Sequence, residues 1–254
     1  MRAIRVSIVE TRGSTPRDAG AAMLVWTDRT QGTIGGGALE WQAMARARAM
    51  LAEGSRAAAS QRIPLGPALG QCCGGAVTLL FEEAESLPDP VREPLWIWGA
   101  GHVGRALVHS LAPLPHLSIT WIDTAADRFP QDIPNTVHRA IAADPPRLMP
   151  HAPHTAHHLI LTYSHDIDLA LCHAALCHGF ASCGLIGSAT KWARFRTRLR
   201  QLGHSDAQIS RIQCPIGDPS LGKHPQAIAI GVAARLLDRQ MPQESAHLTA
   251  SGGT

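Results

Sequence analysis

Two glycine-rich stretches contain the residues whose types and spacing are best suited to chemistry. In one of them, Gly99, Gly101 and Gly104 form the pattern G-x-G-x-x-G directly after the apolar residues 95–98. Such glycines permit a tight turn, a close approach of the backbone to a phosphate and close packing of the next helix, whose N-terminus attracts an anion. Asp123 ends the next apolar segment, about 20 residues downstream, where dinucleotide-binding units place a ribose-binding acid. The spacing predicts a Rossmann-like unit with an anion site.

The second stretch contains two adjacent cysteines, Cys72 and Cys73, between Gly70 and Gly74. A free cysteine is most often a small buried apolar residue. Adjacent thiols in a glycine-flanked loop are different, because a loop favours exposure and the glycines allow another group to approach the backbone. We therefore predict a functional thiol here, with Cys73 the better candidate. The structural interpretation applies to the remaining cysteines, Cys172, Cys177, Cys183 and Cys214.

A histidine and two acids follow the strand predicted over 158–162. In an open α/β sheet, ligands bind beyond the carboxyl ends of the strands, so we predict that His165 contacts a ligand. The acids have a structural alternative, and we expect Asp168 to cap the helix predicted over 169–178.

Ser188 and Lys191 follow the next predicted strand, 183–186. Ser188 is a good N-cap for a helix predicted over 189–202. Lys191 shares a helix face with Arg194 and Arg198, a pattern typical of a solvated basic face. Its place near the strand end would also let it reach a phosphate, and the sequence leaves both interpretations open.

A third glycine run, Gly35–Gly37, precedes the helix predicted over 38–52. Its backbone N–H groups would suit an anion, and a tight turn explains the run equally well. Glu40, in the first helical turn, is either a ligand contact or a complement to the helix dipole.

The sequence predicts no metal site. Four histidines lie in a proline-rich segment without a nearby carboxylate or thiol, which is typical of a solvated connection. In the helix predicted over 169–178, the Cys-His pairs repeat at an interval of about five residues, which does not place them on one helix face. The four histidines are His151, His154, His157 and His158.

The predicted elements divide into an α+β domain and a Rossmann-like domain, which makes the fold class α/β. Residues 1–86 form the first, and an acidic, proline-containing segment ends it. Residues 95–238 form the second, and its strand order is predicted to be that of a half-Rossmann domain, with a parallel sheet and helices on both faces. Residues 239–254 lack apolar periodicity and are predicted to be disordered. The elements of the first domain are strands at 3–9, 21–26, 56–63 and 76–81 and a helix at 38–52.

Composition restricts the class of partner. Of the 254 residues 45% are hydrophobic, which suffices for two cores, and the net charge is only +3. The basic residues are scattered, which argues against nucleic acid as the main partner. No apolar run approaches the roughly 20 residues that span a bilayer, and no export signal is recognisable. We therefore expect a cytoplasmic protein with reduced thiols that contacts no membrane.

Taken together, the motifs resemble the XdhC/CoxI family, the xanthine dehydrogenase accessory proteins. The resemblance covers about residues 5–237, and its specificity comes from the ordered set rather than from one motif. The motifs of the first domain are 13–17 (GSTPR), 32–40 (GTIGGGALE) and 71–75 (QCCGG). Those of the second are 98–104 (WGAGHVG), 162–168 (TYSHDID), 184–195 (GLIGSATKWARF) and 214–217 (CPIG).

The resemblance implies an accessory protein rather than an enzyme. Such proteins bind the molybdenum cofactor (molybdopterin), protect it, support its sulfuration with a cysteine desulfurase as sulfur source, and insert it into the molybdenum subunit of xanthine dehydrogenase. In this interpretation Cys73 is a soft ligand of molybdenum or a sulfur relay. The sequence does not decide whether the protein forms a homodimer or which enzyme is its client. The candidate cofactor contacts are Cys72, Cys73, Gly99, Gly101, His102, Gly104, Asp123, His165, Ser188 and Lys191.

The alternative function is that of an NAD(P)-dependent oxidoreductase. The glycine pattern and Asp123 favour it, and His165 would serve as acid or base. Tyr163, the single tyrosine, has no lysine four residues on, so one common proton-donor pair is absent. A bare nucleotide-sensing module is a third option.

Overall fold

The structure, a computed structural model, describes residues 2–66, 74–89 and 92–238. The chain divides into two compact units, Met1–Asp89 and Pro90–Thr254, which we call the N-terminal and C-terminal units. Cys72, Cys73 and the tail 239–254 lie outside the described residues, so the predictions made for them stay predictions.

The N-terminal unit is an antiparallel sheet with one long helix, α1 (Gly37–Ala52). The strand order is β3-β2-β1-β5-β4. Its strands are β1 (Ile4–Arg12), β2 (Ala22–Val25), β3 (Thr30–Gly32), β4 (Ala59–Pro64) and β5 (Ala76–Glu83).

The helix packs on the sheet through the apolar stripe that the sequence predicts. Leu39, Ala43, Ala47 and Met50 of α1 are buried in one core with alternate residues of β1 and β5. Strand β3 was not predicted, because its residues are exposed and polar. Backbone pairing with β2 forms it, with Leu24 opposite Gln31.

The C-terminal unit is a six-stranded parallel sheet in the order β11-β10-β9-β6-β7-β8. Its strands are β6 (Glu93–Trp98), β7 (Leu117–Asp123), β8 (Val137–Ile141), β9 (His157–Ile160), β10 (Ser182–Leu185) and β11 (Ile212–Gln213). Its helices are α2 (His102–Leu111), α3 (His165–His178), α4 (Ala189–Gln201), α5 (Asp206–Ile209) and α6 (Pro225–Asp238).

This strand order is that of a complete doubly wound sheet. Counted from β6, the strands follow the order 3-2-1-4-5-6. Successive strands are added on one side of β6 up to β8 and then on its other side from β9 onwards, so the switch point lies between β6 and β9. The parallel Rossmann-like sheet is confirmed, and it is larger than the half-domain that the sequence suggests. The two residues of β11 were missed because so short a strand has no periodicity.

Helices cover both faces of the sheet, as successive residues of β6 show. Leu95 and Ile97 pack in the core that contains α2 and α6, whereas Trp96 and Trp98 face the core that contains α3 and α4. This alternation explains why β6 is a continuous apolar run.

His158 is fully buried in the second of these cores. Its Nδ1 accepts a hydrogen bond from Trp98 Nε1 at 3.2 Å, and Nε2 has no partner. Burial, with smaller effects from the charges of His178 and His157, lowers the pKa of His158 to about 4. The imidazole is therefore neutral at physiological pH.

No helix among the described residues is long and apolar enough to cross a membrane.

Gly104 is the glycine at which a side chain is least tolerable. A Cβ there would lie 2.1 Å from the Gly99 carbonyl oxygen, whereas a Cβ on Gly101 would meet no atom within 4 Å. We predict that Gly104→Ala destabilises the C-terminal unit by about 1–3 kcal/mol through overpacking. Gly101→Ala is the matched control and should cost less, because its Cβ meets no neighbouring atom and only the preference for glycine over alanine at an N-cap is lost. Urea unfolding followed by circular dichroism measures both, and equal stability of the two variants contradicts the packing described.

His158 predicts an acid-sensitive stability. The unfolded chain binds a proton at this residue below pH 6.5, but the folded chain does so only below about pH 4. Stability is therefore lost as the pH falls from 6.5 towards 4, by up to about 3 kcal/mol from this residue.

The test compares urea unfolding across this pH window for the wild type and His158→Gln. Glutamine does not titrate, and its amide oxygen is an acceptor that can take the place of the imidazole nitrogen opposite Trp98. In the variant, the free energy of unfolding should fall less steeply with decreasing pH, by up to the slope that one proton contributes. The exposed control His138→Gln should keep the wild-type slope. An unchanged slope in His158→Gln would show that His158 is protonated equally in both states.

Candidate functional site

The glycine turn is held between two neighbouring strands at the carboxyl edge of the parallel sheet. Gly99 N–H donates to the Ile122 carbonyl at 2.7 Å, and Leu161 N–H donates to the Trp98 carbonyl at 2.9 Å. Gly99 has φ +121°, and a Cβ on it would lie 2.4 Å from the Leu161 carbonyl oxygen. The turn therefore lies at the point where β6 separates β7 from β9, which is where ligands bind in such sheets.

The N-terminus of α2 presents unused donors at this point. Gly101 precedes the helix without a side-chain cap. Among the described residues, no acceptor takes the N–H groups of Gly101, His102, Val103 or Gly104. Gly101 itself borders open space, so the backbone is approachable there. These donors and the helix dipole form a cradle for an anionic group such as a phosphate.

Asp123 lies beside this cradle, but its carboxylate already has several partners. One oxygen accepts the Ala100 N–H at 2.6 Å, and the other accepts the Thr124 N–H at 2.6 Å. Arg128 Nε lies 2.7 Å from the second oxygen, as an ion pair without hydrogen-bond alignment. Asp123 is buried. Its clearest action is to fix the conformation of the glycine turn.

Arg128 connects the loops that follow β7 and β9, and sequence analysis did not identify it. Its guanidinium lies 3.9 Å from the ring centre of Tyr163, and its carbonyl accepts a hydrogen bond from Arg105 at 2.7 Å. Tyr163 is largely exposed at the end of β9. No sequence motif marks Arg128, because its partners lie on three separate elements.

Asp168 does not cap α3, so that prediction is wrong. Ser164 is the N-cap, and its hydroxyl accepts the Ile167 N–H. The carboxylate of Asp168 instead accepts from the N–H and hydroxyl of Thr162 and from Lys191 Nζ, the last at 2.5 Å. A buried carboxylate requires such partners, and they tie the loop after β9 and the start of α3 to the first turn of α4.

Lys191 is thereby removed from the solvated basic face. Its side chain is 9% exposed and also donates to the Ile186 carbonyl at 3.0 Å. Ser188 caps α4 as predicted, by accepting the Lys191 N–H. The positive charges left on the exposed face are those of Arg194 and Arg198, with Arg198 lying 3.8 Å from Asp166.

A cleft of about 860 Å³ opens along this face and brings together three of the predicted residues, His165, Ser188 and Lys191. His165 is exposed, and its ring packs edge-on against Phe195 at a centroid distance of 6.4 Å. Arg194 and Arg198 contribute exposed positive charge and Asp166 an exposed negative charge, while the charge of Lys191 is paired with that of Asp168. The lining is therefore net positive and favours an anion.

A second cleft, of about 770 Å³, lies along α2 and includes His102. It is lined by Arg105 and His109 of that helix and by Trp121, Asp132 and His224 from other elements. His102 is exposed at the first position of α2, so it borders both this cleft and the anion cradle.

The Gly35–Gly37 run of the N-terminal unit uses two of its donors internally, since the Gly35 N–H donates to the Thr33 hydroxyl at 3.1 Å and the Gly36 N–H to Glu40. Glu40 accepts the Gly36 N–H at 2.6 Å and the Thr33 hydroxyl at 2.9 Å. The acid thus complements the start of α1 from within its own segment.

The cysteines of the C-terminal unit differ in their surroundings. Burial raises the pKa of Cys172, raises that of Cys183 to about 12, and raises that of half-buried Cys214 to about 11. These three thiols stay protonated, in line with a structural role. Cys177 is exposed, so its assignment as a buried apolar residue is wrong.

Comparison with known proteins relates this chain to a protein family. A family model described as the XdhC Rossmann domain matches residues 95–236, and one described as the XdhC and CoxI family matches residues 1–62. YqeB of Escherichia coli (strain K12), described as uncharacterized, is 30% identical over 234 residues. The match covers 91% of this chain and 42% of YqeB, so the chain spans less than half of that relative.

A solved structure shares the fold along nearly the whole chain. It is described as a xanthine dehydrogenase (BH1974) from Bacillus halodurans, with a TM-score of 0.79 and 18% sequence identity. The match covers 97% of this chain and 94% of that one. Since the model of the Rossmann domain alone spans more than half of the residues, the chain belongs to the XdhC and CoxI family.

Proposed function

We propose that this protein binds the molybdenum cofactor and acts as an accessory protein of xanthine dehydrogenase. It protects the cofactor, supports its sulfuration, and delivers it to the molybdenum subunit of the enzyme. Family membership supports the accessory role. The observation that carries the binding proposal is the open cradle of unused N–H donors at Gly101–Gly104.

The residues of the C-terminal unit fit the phosphorylated end of a pterin. A phosphate needs several donors and positive potential, and both exist at the start of α2. A Cβ on Gly101 would occupy open space beside those donors, so glycine keeps the approach free. When bound, the cofactor would supply a molybdenum centre whose oxo ligand is exchangeable for sulfido.

The chain's own residues then bind the cofactor and orient it. Asp123 holds the Ala100 N–H and so fixes the turn that presents the donors. Arg194 and Arg198 supply positive charge at the neighbouring cleft, and His165 offers a ring nitrogen there. Lys191 is neutralised by Asp168, so we assign it to positioning the loops rather than to charge compensation.

The thiol part of the proposal depends on the sequence. Cys72 and Cys73 lie between Gly70 and Gly74 in the sequence, and a soft thiolate suits molybdenum or a transferable sulfur. We propose Cys73 as the soft ligand or sulfur relay, with a cysteine desulfurase as the sulfur-supplying partner.

An NAD(P)-dependent oxidoreductase is the second candidate. The 3-2-1-4-5-6 strand order and the acid at the end of β7 favour it. Against it, both Asp123 oxygens already accept short hydrogen bonds, so a ribose would have to compete for them.

Released ligand distinguishes the two candidates. We predict that protein purified from a molybdopterin-producing host, then denatured and oxidised, yields fluorescent pterin. Release of NAD(H) or NADP(H) without pterin would support the oxidoreductase and overturn the proposal.

Charge at the cradle provides a matched test of where the phosphate binds. Gly101→Asp and Gly101→Asn differ in charge but hardly in size, and both residues are good N-caps, so both variants should fold. We predict that the aspartate variant binds molybdopterin at least about tenfold more weakly than the asparagine variant, because of like-charge repulsion. Equal binding by the two variants would place the phosphate away from this turn.

Activation of the client enzyme tests the thiol. Cys73→Ala should reduce the sulfurated, active fraction of xanthine dehydrogenase in a reconstituted assay. Cys214→Ser, a half-buried thiol in the C-terminal unit, is the control. Full activation by Cys73→Ala, with unchanged pterin binding, would remove Cys73 from the mechanism.

A further inference from the structure

A second cluster of reactive side chains lies on the helices of the C-terminal unit. His173 and Cys177 come from α3, and His204 follows the end of α4. The potential ligand atoms of the three residues all lie within 4.8 Å of one another. None of these residues belongs to the clefts or the glycine turn described above.

The local structure explains how the three side chains meet. His173 and Cys177 are four residues apart, so they share one face of α3. The sequence interpretation considered only an interval of about five residues and missed this pair. His204 follows Gly203, whose φ is +93°, and its N–H donates to the Leu199 carbonyl at 3.1 Å. The capping box of Ser205 begins α5 directly afterwards, so His204 is held between two helix ends.

The distances lie close to those of a metal site. His173 Nδ1 is 2.7 Å from His204 Nε2, and Cys177 Sγ is 4.0 Å from each ring nitrogen of His173. Two nitrogens on one tetrahedral zinc ion are roughly 3.4 Å apart, and a nitrogen and a thiolate roughly 3.6 Å. Side-chain shifts of up to about one ångström would therefore bring all three atoms onto one ion.

We infer that His173, Cys177 and His204 form a zinc site with two imidazoles, one thiolate and an open fourth position. This donor set is of borderline softness and suits Zn²⁺, and three protein ligands with one open position is the arrangement of reactive rather than closed structural sites. Cys177 is exposed and His173 half-buried, so an ion can enter from solvent.

Zinc binding requires that the two ring nitrogens and the thiol carry no proton at the ligand atoms. In the absence of metal, one imidazole donates its N–H to the other. Zinc binding would shift that proton to the remote ring nitrogen and release the thiol proton to solvent.

The experiment uses the full chain, stripped of metal by a chelator and reduced. Zn²⁺ is titrated against a chromophoric competing chelator. We expect one tight site per chain, weakened about tenfold or more in Cys177→Ser and in His204→Gln, since even the loss of an outer-shell partner costs about that much. His138→Gln, an exposed histidine on β8, is the control and should bind as the wild type does.

Cobalt substitution supplies a structural readout. Co²⁺ bound by the wild type should show a thiolate charge-transfer band that is missing in Cys177→Ser. Because Cys177 is exposed, this variant should fold even if His204→Gln does not. Absence of a tight site, or zinc binding and a cobalt thiolate band that persist in Cys177→Ser, would overturn the inference. Pterin content should be unaffected by Cys177→Ser, so this test is independent of the proposed function.

Discussion

The hydrogen bond from the Ala100 N–H to the carboxylate of Asp123 is the interaction on which the C-terminal unit depends. It joins the glycine turn after β6 to the end of β7, and both groups are buried. An unpaired carboxylate in this place would carry a large desolvation cost, so Thr124 and Arg128 complete its set of partners. The turn is thereby fixed in a form that leaves the donors of Gly101–Gly104 directed outward. A residue whose position suggests ribose binding thus has a structural task whatever the ligand.

Much of the fold could be predicted because local signals and tertiary structure agree. The capping residues Ser188 and Ser205 each report a contact within three residues along the chain. The apolar run of β6 and the stripe of α1 report buried faces through a pattern that lies within the element itself. The strands that were not predicted depend instead on a neighbouring strand. Strands β3 and β11 depend on backbone pairing with a neighbour, and their own side chains contain no periodic pattern.

The candidate site was predictable in its backbone but less so in its side chains. The glycine turn has a sequence pattern because backbone geometry demands glycine at fixed intervals. Asp168 was assigned to a helix cap because acids commonly cap helices, yet the Ser164 hydroxyl was available one turn earlier and left Asp168 free to pair with Lys191. Arg128 and His204 could not be found from sequence, since their partners are 5 to 35 positions away on other elements.

The stacking of Arg128 on Tyr163 affects the energetics of any ligand at the switch point of the sheet. An arginine over a tyrosine ring is stabilised by about 0.5–2 kcal/mol, depending on exposure. A ligand that recruits this guanidinium must first displace the ring, which would lower its apparent affinity by a few-fold to about thirtyfold. A ligand that recruited Arg128 would therefore have to recover this free energy through its other contacts, which would disfavour small, weakly bound anions.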